Sequence, residues 1–107
     1  MASAQGRDDV RTYLDGMQQR ERAKMVALLH RAADNGPPFN NPERCRPLKG
    51  EDFNEFKTYG HRIFWARADG RIALLTAFSK KQDRTTEAEL GRGRNALAAL
   101  RAELGGQ

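Results

Sequence analysis

Seven cations fall within residues 57–84, namely Lys57, Arg62, Arg67, Arg71, Lys80, Lys81 and Arg84. Only Asp69 and Asp83 oppose them, so this stretch alone carries +5, the net charge of the whole 107-residue chain. So concentrated a positive field attracts polyanions, nucleic acid above all, although an acidic protein surface would satisfy the same electrostatics. Within the stretch, Arg62 offers a planar fork that can contact two phosphate oxygens at once, while Lys57, Lys80 and Lys81 are point charges. His61 can exchange a proton near neutral pH. Phe64 and Trp65 carry rings on which bases stack, and Arg71 and Arg84 extend the basic track. Each also has a plainer reading. A lone strand cation is more often solvated, Trp65 fits a core better than a groove, and His30, late in a predicted helix, complements the helix dipole.

A sheet must bring these residues together for them to act as one site. Asp69-Gly70 between two β-rich runs, 61–68 and 71–78, predicts a hairpin with a two-residue loop. That loop pairs Ala68 with Arg71, Trp65 with Leu74, Phe64 with Leu75, Ile63 with Thr76, Arg62 with Ala77 and His61 with Phe78. A similar loop at Tyr59-Gly60 joins a run over 53–58, setting Lys57 opposite Arg62 and Phe56 opposite Ile63. Alternation of side chains then collects Ile63, Trp65, Ile72, Leu74 and Phe78 on a core face, with His61 beside Phe78. The other face collects Arg62, Phe64, Leu75 and the alanines 66, 73 and 77. The expectation is a shallow, alanine-floored groove with Lys57, Arg62, Lys80 and Lys81 at one end. Like charges directly opposed across strands cost up to about 1 kcal/mol unless an anion sits between them. In this groove Phe64 either stacks on a base or packs against the C-terminal helix.

The remaining elements are helical. Asp8 or Asp9 caps a first helix bearing Val10, Tyr13, Leu14 and Met17 at helical spacing, with Gly16 near its end. A longer helix over 18–35 places Met25, Val26, Leu28, Leu29 and Ala32 on one side and stops at Gly36-Pro37-Pro38. Residues 36–50, rich in Pro, Asn and Gly, read as a long loop. Thr86 with Glu89 forms a capping box for a final helix carrying Leu90, Leu97, Leu100 and Leu104, whose early turns Gly91 and Gly93 loosen. The fold class is α+β: an N-terminal helical hairpin on a small antiparallel sheet of about three strands, with a C-terminal helix, in one domain spanning 1–107. Residues 1–7 are expected to be disordered.

Composition narrows the function classes. A chain this short excludes a multidomain enzyme, and Leu, Ile, Val and Phe together number only 19, so the core is small. The single Cys45 rules out an intramolecular disulfide, lacks metal-ligand spacing and fits a cytosolic chain. The polar N-terminus and the absence of a long apolar run argue against secretion or a membrane partner.

The run Leu48-Lys49-Gly50, then Glu55-Phe56-Lys57, then Gly60-His61-Arg62-Ile63-Phe64-Trp65, then Ala77-Phe78-Ser79-Lys80-Lys81, resembles the RelE/ParE toxin superfamily, in particular its HigB-like, phage-derived branch. The resemblance covers roughly residues 10–100 in element order. It implies a RelE-like fold and the toxin of a type II toxin–antitoxin pair. The activity implied is ribosome-dependent, cofactor-free and metal-independent mRNA cleavage, in which a ribose 2′-OH attacks the adjacent phosphate. By position, Arg62 matches the arginine of the branch's Tyr-Arg strand, Lys57 stands where the branch has the arginine of Glu-Leu-Arg, and Lys80 and Lys81 match its Phe-x-Lys-Lys ending. The implied catalytic set is Arg62, Lys57, Lys81 and His61, with Lys80, Arg84, Phe64 and Arg71 binding RNA. Such cleavage needs cations around the phosphorane and a proton acceptor for the 2′-OH, for which His61 and Glu55 are candidates. His61 replaces the usual tyrosine, and the stretch after the basic pair lacks the tyrosine of RelE itself. These departures keep open a non-nucleolytic alternative, a gyrase-directed toxin or an antitoxin-dependent corepressor. The implied partners are a helix-turn-helix, HigA-like antitoxin, the ribosome with its mRNA, and operator DNA reached through the antitoxin complex.

Overall fold

Two tight turns and an alternating apolar pattern build the sheet. The computed structural model describes residues 4–80 and 85–105, as α1 (Ala4–Asp15), α2 (Gln19–Asn35), β1 (Cys45–Pro47), β2 (Asn54–Thr58), β3 (His61–Ala68), β4 (Arg71–Ser79) and α3 (Glu87–Gly105). The strands form one antiparallel sheet in the order β1-β2-β3-β4. Asp69 and Gly70 both adopt left-handed backbone, φ 56° and 74°, which matches the right-handed twist of the strands they join. The Tyr59-Gly60 turn sets Lys57 opposite Arg62 and Phe56 opposite Ile63, as its length predicts. The α+β class and the helical hairpin stand as expected, and the fold is compatible with a RelE-like architecture.

Four expectations are corrected. First, α1 begins at Ala4, so Asp8 and Asp9 lie inside the helix rather than capping it. Second, the 36–50 loop contains an edge strand, β1, which makes the sheet four-stranded; three residues ending in Pro47 show no alternation that a sequence reader can use.

Third, the β3–β4 register follows the expected pairing from Ala68↔Arg71 to Trp65↔Leu74 and then slips. Beyond a bulge at Phe64/Trp65, Phe64 faces Thr76, Ile63 faces Ala77, Arg62 faces Phe78 and His61 faces Ser79. A bulge inserts one residue and reverses the facing of everything beyond it. Small Ala77 therefore meets the crowded helical-hairpin side, while Phe78 joins Leu75 and Phe64 on the opposite face.

Fourth, the alanine-floored face is no groove. α3 lies on it, and Ala66 and Ala73 are buried with Phe53, Phe64, Leu75, Phe78, Leu97 and Leu100.

The sheet thus separates two apolar clusters. On one side α1 and α2 cover Cys45, Phe56, Ile63 and Trp65 with Val10, Met17, Met25 and Ala32. Burial pushes the Cys45 thiol up to about 11, which keeps it protonated and unreactive near neutral pH. On the other side α3 is held by apolar contact and by ion pairs from Arg94 to Glu51 and from Arg101 to Asp52, while Arg94 also pairs with Glu87 within the helix. Its start is capped as predicted, the Glu89 N–H donating to Thr86 Oγ1 at 3.3 Å.

Gly93 does more than loosen α3. A Cβ built there would stand 2.8 Å from ring carbons of both Phe53 and Phe64, whereas one at Gly91 meets open space. Gly93→Ala is therefore expected to destabilise, since overpacking costs about 1–3 kcal/mol against a helix-propensity gain of about 1 kcal/mol. Gly91→Ala should stabilise by up to about 1 kcal/mol. Urea unfolding of both variants checks this, and a stabilised Gly93→Ala would mean that α3 stands off the sheet.

Candidate nucleic-acid interface

Because Arg46 pairs with Glu55 across β1–β2 and Lys57 with Arg62 across β2–β3, all four side chains lie on the α3 side of the sheet. They gather at the end where β2 turns into β3. Glu55 is fully buried there, beneath the cations. Its Oε1 lies 3.4 Å from Arg62 Nε and 3.7 Å from Arg46 Nε, and among the described residues neither carboxylate oxygen accepts a hydrogen bond. A buried carboxylate is tolerated only beside such cations. The charges of Glu55, Arg62, Arg46 and Lys57 all act on Lys80 as well, and Glu43 adds a second carboxylate that acts on Lys57, so the cations outnumber the carboxylates among the described residues.

That imbalance shows in the titration of the group. Burial first, and then Arg46 and Arg62, hold Lys57 below the ordinary lysine value. Lys80 is likewise lowered, by burial and by Arg62, Arg46 and Lys57 against the opposing pull of Glu55. Burial also lowers Arg62. A bound anion would raise all three, because it supplies the missing negative charge.

The two arginines differ. Arg62 is only 11% exposed, and its Nη1 donates to the Tyr59 and His61 carbonyls at 3.0 Å each. Much of its fork is therefore spent inside the protein. Arg46 is 42% exposed and has its guanidinium tip free of hydrogen bonds among the described residues. It is the better placed of the two to meet an incoming phosphate, and sequence reading passed over it because it lay in an apparent loop. Glu55 did leave a signal, as a carboxylate between Phe53 and Phe56 in a β-rich run.

The predicted site residues divide. Lys57, Arg62 and Lys80 come together. Arg71 sits at the far end of the hairpin, opposite Ala68, and is not part of the cluster. Phe64 is fully buried between Phe53 and Phe78, ring centroids 5.0 and 5.1 Å away, so no face remains for a base and its other expected role, packing under α3, is the one observed. Lys81 and Arg84 lie outside the described residues.

His61 does sit on the helical-hairpin face, but the bulge carries Phe78 to the opposite side of the sheet. The imidazole is instead held at both nitrogens, with Nδ1 2.6 Å from the Tyr13 hydroxyl and Nε2 2.6 Å from Glu21 Oε1. It ties α1 and α2 to β3 and faces away from the cations. His61→Ala is expected to cost about 1–3 kcal/mol, because Tyr13 and Glu21 lose their partner, and to leave RNA affinity unchanged. Thermal melts paired with an RNA-binding titration check both halves, and an affinity loss without a stability loss would return His61 to the site.

A helical hairpin on one face of an antiparallel sheet, a single helix on the other and a cationic end around a buried glutamate define the class: a small α+β protein with a basic cluster at one end of its sheet. The chain belongs to the family described as Phage derived protein Gp49-like (DUF891), whose model matches residues 12–98. Membership is consistent with the toxin of a toxin–antitoxin system and suggests an antitoxin partner. Comparison with curated proteins finds no match. Among the described residues no helix is long and apolar enough to cross a membrane, and no group of three or more His, Cys, Asp or Glu is placed to hold a metal ion.

Proposed function

We propose that this protein is a RelE/ParE-superfamily toxin of the HigB-like branch that cleaves mRNA on the ribosome in the cytoplasm. A helix-turn-helix antitoxin neutralises it and carries it to operator DNA. The supporting observation is the cluster of Arg46, Lys57, Arg62 and Lys80 over the buried Glu55, in which cations outnumber carboxylates among the described residues. In the reaction, the ribose 2′-oxygen bonds to phosphorus and the 5′-oxygen leaves, giving a 2′,3′-cyclic phosphate and a 5′-hydroxyl. Charge building on the phosphorane oxygens meets Arg46 and the free side of Arg62, with Lys57 and Lys80 on neighbouring phosphates. Preorganised donors of this kind supply the largest part of such catalysis.

The described residues offer no ready base. His61 is held at both nitrogens on the other face, and Glu55 is committed to two arginines. Among the described residues the contribution is electrostatic, with the 2′-OH proton passing to solvent and solvent supplying the proton that the leaving 5′-oxygen takes up. The same observation favours the second reading, a toxin-fold protein that binds without cutting and acts on gyrase or as a corepressor. Induction followed by primer extension on a translated message separates them. Discrete codon-linked ends are expected, and growth arrest without new ends would establish the second reading instead.

A further inference from the structure

A second basic surface lies on the other side of the sheet. Between α2 and the segment leading into β1 is a groove of about 370 Å³ lined by Lys24, Ala27, Leu28, Arg31, Arg44 and Thr58, with Asn41 at its rim. Lys24, Arg31 and Arg44 are exposed, and among the described residues none of them makes an ion pair. Among the described residues no acidic one lines the groove.

The spacing selects the occupant. Positions 24, 27, 28 and 31 form one stripe of α2, two cations about 10 Å apart along the axis with an apolar floor between them. A partner helix with two carboxylates seven residues apart, and a leucine-sized side chain between them, presents the complementary pattern at the same spacing. A sugar-phosphate chain gains nothing from Ala27 and Leu28. We infer that this groove docks an acidic amphipathic helix of a partner protein, its apolar side chain seated on Ala27 and Leu28 and its carboxylates on Lys24, Arg31 and Arg44. Because Thr58 pairs with His61 on the helical-hairpin face, the groove and the Glu55 cluster lie on opposite sides of the sheet and can be occupied together. The inference rests on the groove alone and is independent of RNA cleavage.

The test uses the full chain and a fluorescent helical peptide with two glutamates seven residues apart and leucines at the third and fourth positions between them. Anisotropy should show saturable binding, weakened roughly tenfold by Lys24→Glu and by Arg31→Glu. A peptide carrying lysines in place of the glutamates should bind the doubly reversed variant and not the original protein. Arg46→Ala should leave peptide binding unchanged, which separates this result from any failure of the nuclease proposal. The inference is overturned if the lysine peptide binds the original protein equally well. It is likewise overturned if no peptide binds, or if single-stranded RNA of matched charge binds more tightly and loses that affinity through the same two reversals.

Discussion

Arg46→Ala is expected to lower RNA cleavage by about 10²–10³-fold, the usual cost of losing one preorganised donor at a developing oxyanion. The fold should survive. The side chain is 42% exposed on an edge strand, and its ion pair with Glu55, at 3.7 Å, is backed by the closer Arg62. Because Arg62 stays 3.4 Å from the buried Glu55, losing the partly exposed Arg46 should cost only about 1 kcal/mol. Arg46→Lys should recover only part of the rate, since a point charge replaces a fork that binds two oxygens. Arg62→Ala should also relieve growth arrest, but with a loss of stability, because its guanidinium caps the Tyr59 and His61 carbonyls and faces the buried Glu55. Cleavage on programmed ribosomes and urea unfolding, measured on the same preparations, tell these apart. Full activity in a folded Arg46→Ala protein would remove Arg46 from the site.

Glu55→Ala should be the most destabilising change at this end of the sheet. Removing one partner of a buried ion pair leaves an uncompensated charge and costs about 3–5 kcal/mol, a large part of a typical domain's margin of about 5–15 kcal/mol. Here the loss leaves Arg46, Lys57, Arg62 and Lys80 without the buried carboxylate that acts on Lys57, Arg62 and Lys80. The distinguishing outcome is rescue. Inorganic phosphate should raise the melting temperature of Glu55→Gln more than that of the original protein, since an anion restores the missing charge. At about 100 times its Kd, a native-state ligand adds about 2.7 kcal/mol. If phosphate shifts both proteins equally, the cluster does not bind anions through the charge that Glu55 now balances.

Several parts of this architecture were legible from residue types alone. Asp69-Gly70 admits a turn with both residues left-handed, and from it the Ala68–Arg71 to Trp65–Leu74 pairing followed. The Tyr59-Gly60 turn brought Lys57 and Arg62 together, and Thr86 capped α3 where the box motif placed it. The resemblance to RelE-like toxins led to a family that the match over residues 12–98 supports at the coarser level. The bulge was not legible, because period-two alternation carries no mark of where an extra residue is inserted. That one slip moved Phe78 across the sheet and left His61 facing α1 and α2. Nor was the covering of the alanine face legible, since small residues read equally well as a groove floor and as a seat for a closely packed helix. Gly93 against Phe53 and Phe64 is what decides between them.

By itself the sequence determined the local elements, the concentration of positive charge in residues 57–84 and the pairing of Lys57 with Arg62, because turn chemistry and charge are properties of neighbours. Only the tertiary structure decided that Arg46 belongs beside them, that Glu55 lies buried beneath all of them and that Tyr13 and Glu21 hold His61 at both nitrogens. Those assignments depend on which strand adds at the sheet edge and on which side each helix lands. Packing between distant segments settles both, and no local pattern encodes it.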